Sequence, residues 1–262
     1  MRATVLSLLH RIGTQAVADL APGQPHVTLF CHFRGRLLHR ALIGVAADQT
    51  VWLLGDDAPG SSLAAFLDRH IFRDDVRIED RSESLPVRWA PDDRRFAPGT
   101  FSERAGTPLG LSLASGETLV ADHAPGPDHE LDRIRLGRPR HGHEIAEAFN
   151  PFEVGLAHEV HLDKGCFTGQ ETLMRLITYK SVKRRLARVS GSGSTPAVPL
   201  DLTAAGAPAG VLTSAAADGE RWIGLAVVRN EVCDPPRALE LAGGGTTDVI
   251  VPFPPTRPLG RG

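Results

Sequence analysis

The chain has 262 residues, 42% of them hydrophobic, which is enough for one large or two smaller domains with a substantial core. Its 29 basic and 31 acidic residues leave a formal charge of −2, which argues against a general nucleic-acid binder. No apolar run approaches the ~18 residues of a membrane span, and cysteines at 31, 166 and 233, far apart and with no C-x-x-C pair, indicate neither a disulfide framework nor a one-segment zinc site. A reduced, cytoplasmic setting is expected. Met1 to Leu9 has a faint signal-peptide look, but His10 and Arg11 interrupt it and a plain helix is the better reading.

Apolar residues at 6, 9, 12, 17 and 20 predict a helix from Leu6 to Leu20, ending near Pro22-Gly23. Val27 to Phe33 reads as a strand apolar on both faces, Arg34-Gly35-Arg36 as a turn, and the stretch through Val45 as a second strand. Asp48-Gln49 then turns the chain into a third strand at Val51–Leu54. Ser61 or Ser62 can cap a helix bearing Leu63, Phe66, Leu67 and Ile71, and Val76-Arg77-Ile78-Glu79 reads as a charged strand. This order predicts an α+β region with largely antiparallel pairing.

From Arg81 to Pro127 the chain is rich in Pro, Gly, Asp and Arg, with strand candidates only at Pro86–Trp89 and Leu109–Leu113. Asp128 can cap a helix through Leu136 closed by Gly137, and Pro151 to Leu156 reads as an extended link. After Arg185 come a strand at Leu186–Val189, a Gly/Ser/Pro connection, and two hairpins. The first pairs Gly210–Ala216 with Trp222–Val228 around Asp218-Gly219; the second pairs Ala238–Leu241 with Asp248–Val251 around Gly243-Gly244-Gly245. A small all-β module is expected there, dividing the chain into 1–183 and 184–262.

The stretch Lys164-Gly165-Cys166-Phe167-Thr168-Gly169-Gln170-Glu171, continuing to Arg175, holds the most chemistry. Thr168 and Glu171 have the spacing of a capping box, which sets Cys166 two residues before the N-cap of a helix running to about Lys180. The first-turn N–H groups and the Lys164 ammonium favour negative charge, so a thiolate forms there more easily than in water. On the residues alone Cys166 is open as metal ligand, nucleophile or redox group; Cys31 and Cys233 read as structural.

Other features are weaker. His158-Glu159-Val160-His161 is one residue short of H-E-x-x-H, and with His141-Gly142-His143 reads as polar loop rather than zinc site. Lys180, Lys183, Arg184, Arg185 and Arg188 form either a solvated edge or a site for a carboxylate-bearing ligand or an acidic partner. Gly191-Ser192-Gly193 and the 243–245 glycines lack the context of a phosphate loop.

The motif from Lys164 to Glu171 with Arg175 resembles the K-G-C-[YF]-x-G-Q-E-x-x-x-R signature of the YgfZ family. These are folate-binding proteins that support iron–sulfur cluster assembly or repair and are structural relatives of the glycine-cleavage aminomethyltransferase. Similarity extends to Leu8-Leu9-His10, Thr14-Gln15-Ala16-Val17, Leu20 with Gly23, Gly35-Arg36, Arg133-Ile134 with Gly137 and Pro139, and Asn150-Pro151-Phe152-Glu153 with Gly155-Leu156. It continues through Arg184-Arg185-Leu186 and Gly210-Val211-Leu212-Thr213-Ser214-Ala215, while 81–127 matches poorly.

The resemblance implies an aminomethyltransferase-like α+β folate-binding region of antiparallel sheets with helices, followed by a small C-terminal β-barrel, around a channel for tetrahydrofolate. It implies Cys166 at the channel mouth as thiolate ligand of a transient iron–sulfur cluster or as redox group, supported by Lys164, Gly165, Gly169, Gln170, Glu171 and Arg175. Asp132 falls in the place of the aminomethyltransferase's catalytic aspartate and Glu153 near the folate. The implied partners are folate and iron–sulfur carrier or client proteins, with no nucleic acid and no membrane.

Three departures carry expectations of their own. Phe167 replaces the commoner Tyr; Lys180 stands where Gly is frequent, which predicts a changed chain path after the helix. The family's first strand and helix entry do not stand ahead of Leu8 here, so either the true start lies upstream or that strand is lost, and the second alternative implies an incomplete folate-side sheet. The rival reading is a folate-dependent aminomethyl or one-carbon transferase with Asp132 activating the substrate, and a third is a scaffold that no longer binds folate.

Overall fold

The computed structural model of the chain describes residues 2–22, 26–46, 48–55, 58–84, 100–102, 110–112, 127–253 and 257–260. Helix α1 (Arg2–Ile12) precedes an antiparallel sheet of β1 (His26–Cys31), β2 (Leu37–Val45) and β3 (Val51–Gly55), and helix α2 (Gly60–Asp68) follows it. Both faces of the sheet are covered. Phe30, Ala41 and Ile43 pack with Leu6, Leu9 and Ile12 of α1 and Leu63 and Leu67 of α2, while Leu29, Cys31 and Leu37 join Ile134, Val154, Phe167 and Leu173. That is why the first strand shows no polar alternation. Each large apolar side chain so buried contributes roughly 1.5–3 kcal/mol by leaving water.

Helix α1 ends at Ile12 instead of reaching Leu20. Gly13 N–H still returns to Leu9 O at 2.8 Å, but Thr14 is claimed by the sheet: its N–H donates to Leu29 O at 3.0 Å and its hydroxyl accepts from Leu29 N–H at 3.0 Å. Val17 and Leu20 are buried, so their spacing reported burial rather than helix. Helix α2 starts after Pro59 with no side-chain cap; neither Ser61 nor Ser62 serves as one. Val76 to Glu79 forms no strand and has no partner strand among the described residues, and Val76 and Ile78 cover the α1/α2 core.

The Leu109–Leu113 candidate becomes β5 (Gly110–Ser112), paired antiparallel with β4 (Thr100–Ser102); Pro86–Trp89 lies outside the described residues. Helix α3 (Pro127–Leu136) closes at Gly137, where Arg138 N–H returns to Arg133 O at 3.0 Å. Pro151 to Leu156 is a series of turns, not an extended link. Asn150 Oδ1 accepts from Phe152 N–H (3.0 Å) and Glu153 N–H (3.2 Å) and so folds the segment locally.

Helix α4 (Gln170–Thr178) ends on Lys180 in the left-handed region, φ 49°. Lys180 N–H returns to Ile177 O (3.1 Å) and Ser181 N–H to Leu176 O (2.9 Å), the paired closure usually built on glycine. The lysine thus takes the conformation a glycine would, at a cost of roughly 1 kcal/mol. Lys180→Gly is expected to raise stability by about 0.5–1 kcal/mol, read as a higher urea midpoint at unchanged slope.

Six strands close the C-terminal barrel: β6 (Arg184–Ser192), β7 (Leu200–Ala204), β8 (Ala207–Asp218), β9 (Arg221–Arg229), β10 (Ala238–Leu241) and β11 (Thr246–Pro252), in the order β10-β11-β6-β9-β8-β7. Both expected hairpins form; β7 is the strand that the Gly/Ser/Pro-rich surroundings concealed. Along β9 the pleat sends Trp222, Ala226 and Val228 into the barrel with Val189, Leu212 and Leu239. Ile223, Leu225 and Val227 point outward with Leu186 and share one core with Leu29, Ile134 and Phe167. Antiparallel sheets with helices and a C-terminal barrel are the architecture expected, and the barrel's outer face is glued to the first sheet.

Candidate functional site

The cysteine loop hangs from backbone ties on two sides. His161 N–H donates to Thr14 O (2.9 Å) and Leu162 N–H to Leu259 O (3.0 Å), while Leu259 N–H donates to Val160 O (2.8 Å). Lys164 Nζ donates to the His10 carbonyl at the end of α1. His10 Nδ1 accepts from Val17 N–H (3.2 Å) and Ala18 N–H (3.3 Å), so the ring proton sits on Nε2, 3.0 Å from Lys164 O. Lys164 is a strut between loop and helix, and its ammonium lies 5.1 Å from the centroid of the Phe167 ring.

Burial lowers the Lys164 pKa from 10.5 to about 8. Between those values the unfolded chain holds a proton the folded chain has released, so this lysine makes stability rise with pH across that window. Cys31, raised by burial to about 12 from 9.0, acts in the opposite sense above its unfolded value. Comparison with Lys164→Met isolates the lysine: its stability deficit relative to wild type is expected to grow from about pH 8 to about pH 10.5 in urea denaturation.

The helix that follows starts one residue later than the capping box required. Gly169, at φ 86°, is its N-cap and no side chain caps it. A Cβ on Gly169 would lie 2.7 Å from His32 O and 3.2 Å from the Gly35 backbone, so the loop and the β1–β2 turn touch backbone to backbone. That contact sets the start of α4 instead of Thr168. Glu171 pairs with Arg175 one turn on, in solvent. Gln170 Nε2 donates to Leu162 O at 2.7 Å, Thr172 Oγ1 to Phe33 O at 3.4 Å, and Phe167 is buried.

Between these anchors Gly165 and Cys166 are exposed. The Cys166 thiol has no hydrogen-bond partner among the described residues. An exposed thiol at a fixed point of a rigid loop can ligate, attack or be oxidised. Cys31 and Cys233 are buried free thiols, both pushed up by burial.

Upstream of the loop lies an ion pair that the motif reading missed. Arg40 Nε stands 2.9 Å from Glu159 Oε2 and its NH2 2.7 Å from Oε1, with both side chains about 5% exposed. A second buried carboxylate, Glu144, accepts from Arg133 NH1 (3.2 Å), Arg140 N–H (3.0 Å), the Ser214 hydroxyl (2.7 Å) and the Thr213 hydroxyl. It ties α3 to β8. Buried carboxylates need such partners, but their pairing is non-local and leaves no trace in spacing.

Asp132 is largely exposed on α3 and pairs with Arg135 at 3.4 Å. Glu153 is buried; its carboxylate accepts from Arg184 Nε (2.7 Å) and Asn150 N–H (3.0 Å). The basic run is mostly internal strut: Arg184 holds Glu153, Arg185 donates to Asn230 Oδ1 (3.0 Å), and Arg188 donates to Arg135 O (2.8 Å). Lys180 and Lys183 remain exposed. His141 stacks on buried His39 with centroids 5.3 Å apart, and burial together with His141 lowers the His39 pKa to about 4. No group of three or more His, Cys, Asp or Glu able to hold a metal ion occurs among the described residues.

No protein-family model matches the chain. Over 128 residues it is 37% identical to a putative chloroplastic transferase of Arabidopsis thaliana, a match covering 47% of this chain and 29% of that protein. Over 154 residues it is 30% identical to the mitochondrial iron–sulfur cluster assembly factor IBA57 homolog of Mycosarcoma maydis, covering 53% of this chain and 38% of the relative. The matches thus span well under half the length of these relatives. The crystal structure of glycine cleavage system aminomethyltransferase T from Bartonella henselae matches with a TM-score of 0.67 at 15% identity, over 98% of this chain and 83% of that one. At that identity the likeness is one of fold, and the fold is aminomethyltransferase-like.

Proposed function

The two relatives and the shared fold support a YgfZ-type folate-binding family, and from that premise we propose that this chain is a tetrahydrofolate-binding accessory protein for iron–sulfur cluster assembly or repair. The observation that carries the reading is the exposed Cys166 on a loop pinned by Lys164, Gly169 and Gln170. An exposed, well-placed thiolate can offer one sulfur ligand to a cluster in transit, the remaining ligands coming from the donor or acceptor protein. The clients are then iron–sulfur carrier or acceptor proteins. Free thiols suit a reducing compartment such as the cytoplasm.

Both Glu153 oxygens are engaged, so a folate contact there must displace Arg184 or the Asn150 N–H, whereas the exposed Asp132 is paired through Oδ1 to Arg135 and presents Oδ2 to solvent. Titration with tetrahydrofolate, followed by calorimetry, tests the ligand. Saturable binding is expected; absence of binding would leave the scaffold reading. The transferase reading draws on the name of the Arabidopsis relative and on the fold. It requires formation of methylenetetrahydrofolate from an aminomethyl donor, lost in Asp132→Asn, and needs no thiol.

A further inference from the structure

The outer side of α4 has features that the cysteine loop does not use. At its N-terminal end Thr172 holds the β1–β2 turn through Phe33 O, and Phe33 is 62% exposed with Arg34 over its ring at 5.3 Å. Seven residues after Thr172, hence on the same side of the helix, Tyr179 is 75% exposed. Lys180 and Lys183 follow, both exposed and with no ionic partner among the described residues. They and Lys164 are the only lysines in the chain.

Arg175 and Arg36 add to this stripe, though Arg175 is paired with Glu171 and Arg36 with Glu153. The exposed acids of α4, the β1–β2 turn and the cysteine loop are Glu171, paired with Arg175, and Asp163, so Arg34, Lys180 and Lys183 leave this side positive on a chain whose formal charge is −2. Exposed aromatic side chains beside arginine are the composition of a protein interface rather than of ordinary surface, and the lysines at the rim add charge that steers a partner. At 1.5 Å per residue α4 carries Tyr179 roughly 15 Å from Gly169. Cys166 and the whole stripe therefore fit within one partner footprint of about 800 Å².

We propose that this stripe, from Phe33 and Arg34 to Tyr179, Lys180 and Lys183, is the docking surface for an acidic protein that carries an iron–sulfur cluster, holding it against Cys166. The proposal rests on the function assigned to Cys166. Charge complementarity selects the partner's sign, and the two aromatic side chains supply the desolvated contacts.

The test measures binding of a purified acidic iron–sulfur carrier protein, in its apo form, to the full chain by biolayer interferometry at low and moderate salt. Arg34→Glu/Lys180→Glu/Lys183→Glu is expected to weaken binding at least tenfold and to flatten its salt dependence; Tyr179→Ala is expected to weaken it with the salt dependence kept. Arg73→Glu, after α2 and away from the stripe, is expected to bind as wild type. No binding by wild type, or equal loss in Arg73→Glu, overturns the docking surface. Binding of a structured RNA probe that is lost in the same triple variant while the carrier is ignored would reassign the stripe to nucleic acid. Full restoration of activity by Cys166→Ala in cells, with docking intact, would instead sink the cluster role and leave the surface standing.

Discussion

Arg40→Met is expected to destabilise the protein by about 3–5 kcal/mol, lowering its melting temperature by roughly 10 °C in scanning calorimetry. The magnitude follows from what is left behind. Glu159, about 5% exposed, is left in a site where Arg40 supplied contacts of 2.7 and 2.9 Å. The next residue but one is His161, tied to Thr14 O, and Glu159 O itself accepts from the Thr14 hydroxyl at 2.7 Å. The damage therefore falls on the segment from which the cysteine loop hangs. Arg40→Met with Glu159→Leu is expected to regain most of the loss, because a stranded charge rather than a lost attraction dominates the cost. A single variant as stable as wild type would mean that water reaches the pair.

Glu144→Leu is expected to cost a similar 3–5 kcal/mol. The carboxylate is fully buried, and its removal takes an acceptor from the Arg140 N–H, the Ser214 hydroxyl and Arg133 NH1 at once, while Thr213 keeps Leu225 O at 3.0 Å. Arg133 retains Glu130 at 2.6 and 2.9 Å, which keeps the loss below that of a wholly unpaired cation. Burial raises the Glu130 pKa, but the hydrogen bonds and charge of Arg133 outweigh it and hold the carboxyl below its ordinary value. Because Ile223, Leu225 and Val227 of the barrel share a core with Leu29 and Ile134, a single transition at lower temperature is expected. Two separated transitions would show that barrel and first sheet unfold independently.

Much of this was legible in the residues. Period-two patterns and Gly-rich turns located the first three strands and both barrel hairpins, because a hairpin is specified by local turn chemistry and by neighbours in sequence. The errors came where a distant segment overruled local preference. Thr168 and Glu171 had capping spacing, yet the backbone contact of Gly169 with Gly35 started α4 instead. Thr14 left α1 for Leu29. Arg184 and Arg188 read as surface charge and are struts to Glu153 and to α3. His10, quoted only as part of a resemblance, is the residue that holds Lys164 from both ends. Pairings across 100 or more residues such as Arg40 with Glu159 cannot be read from spacing at all.

The assigned role stands or falls on one thiol. In cells lacking the native protein and deficient in an iron–sulfur enzyme activity, the wild-type chain is expected to restore that activity, whereas Cys166→Ala, folded and present at equal level, is expected to restore none. Full restoration by Cys166→Ala would contradict the account, since the loop would then be a scaffold and the exposed cysteine dispensable.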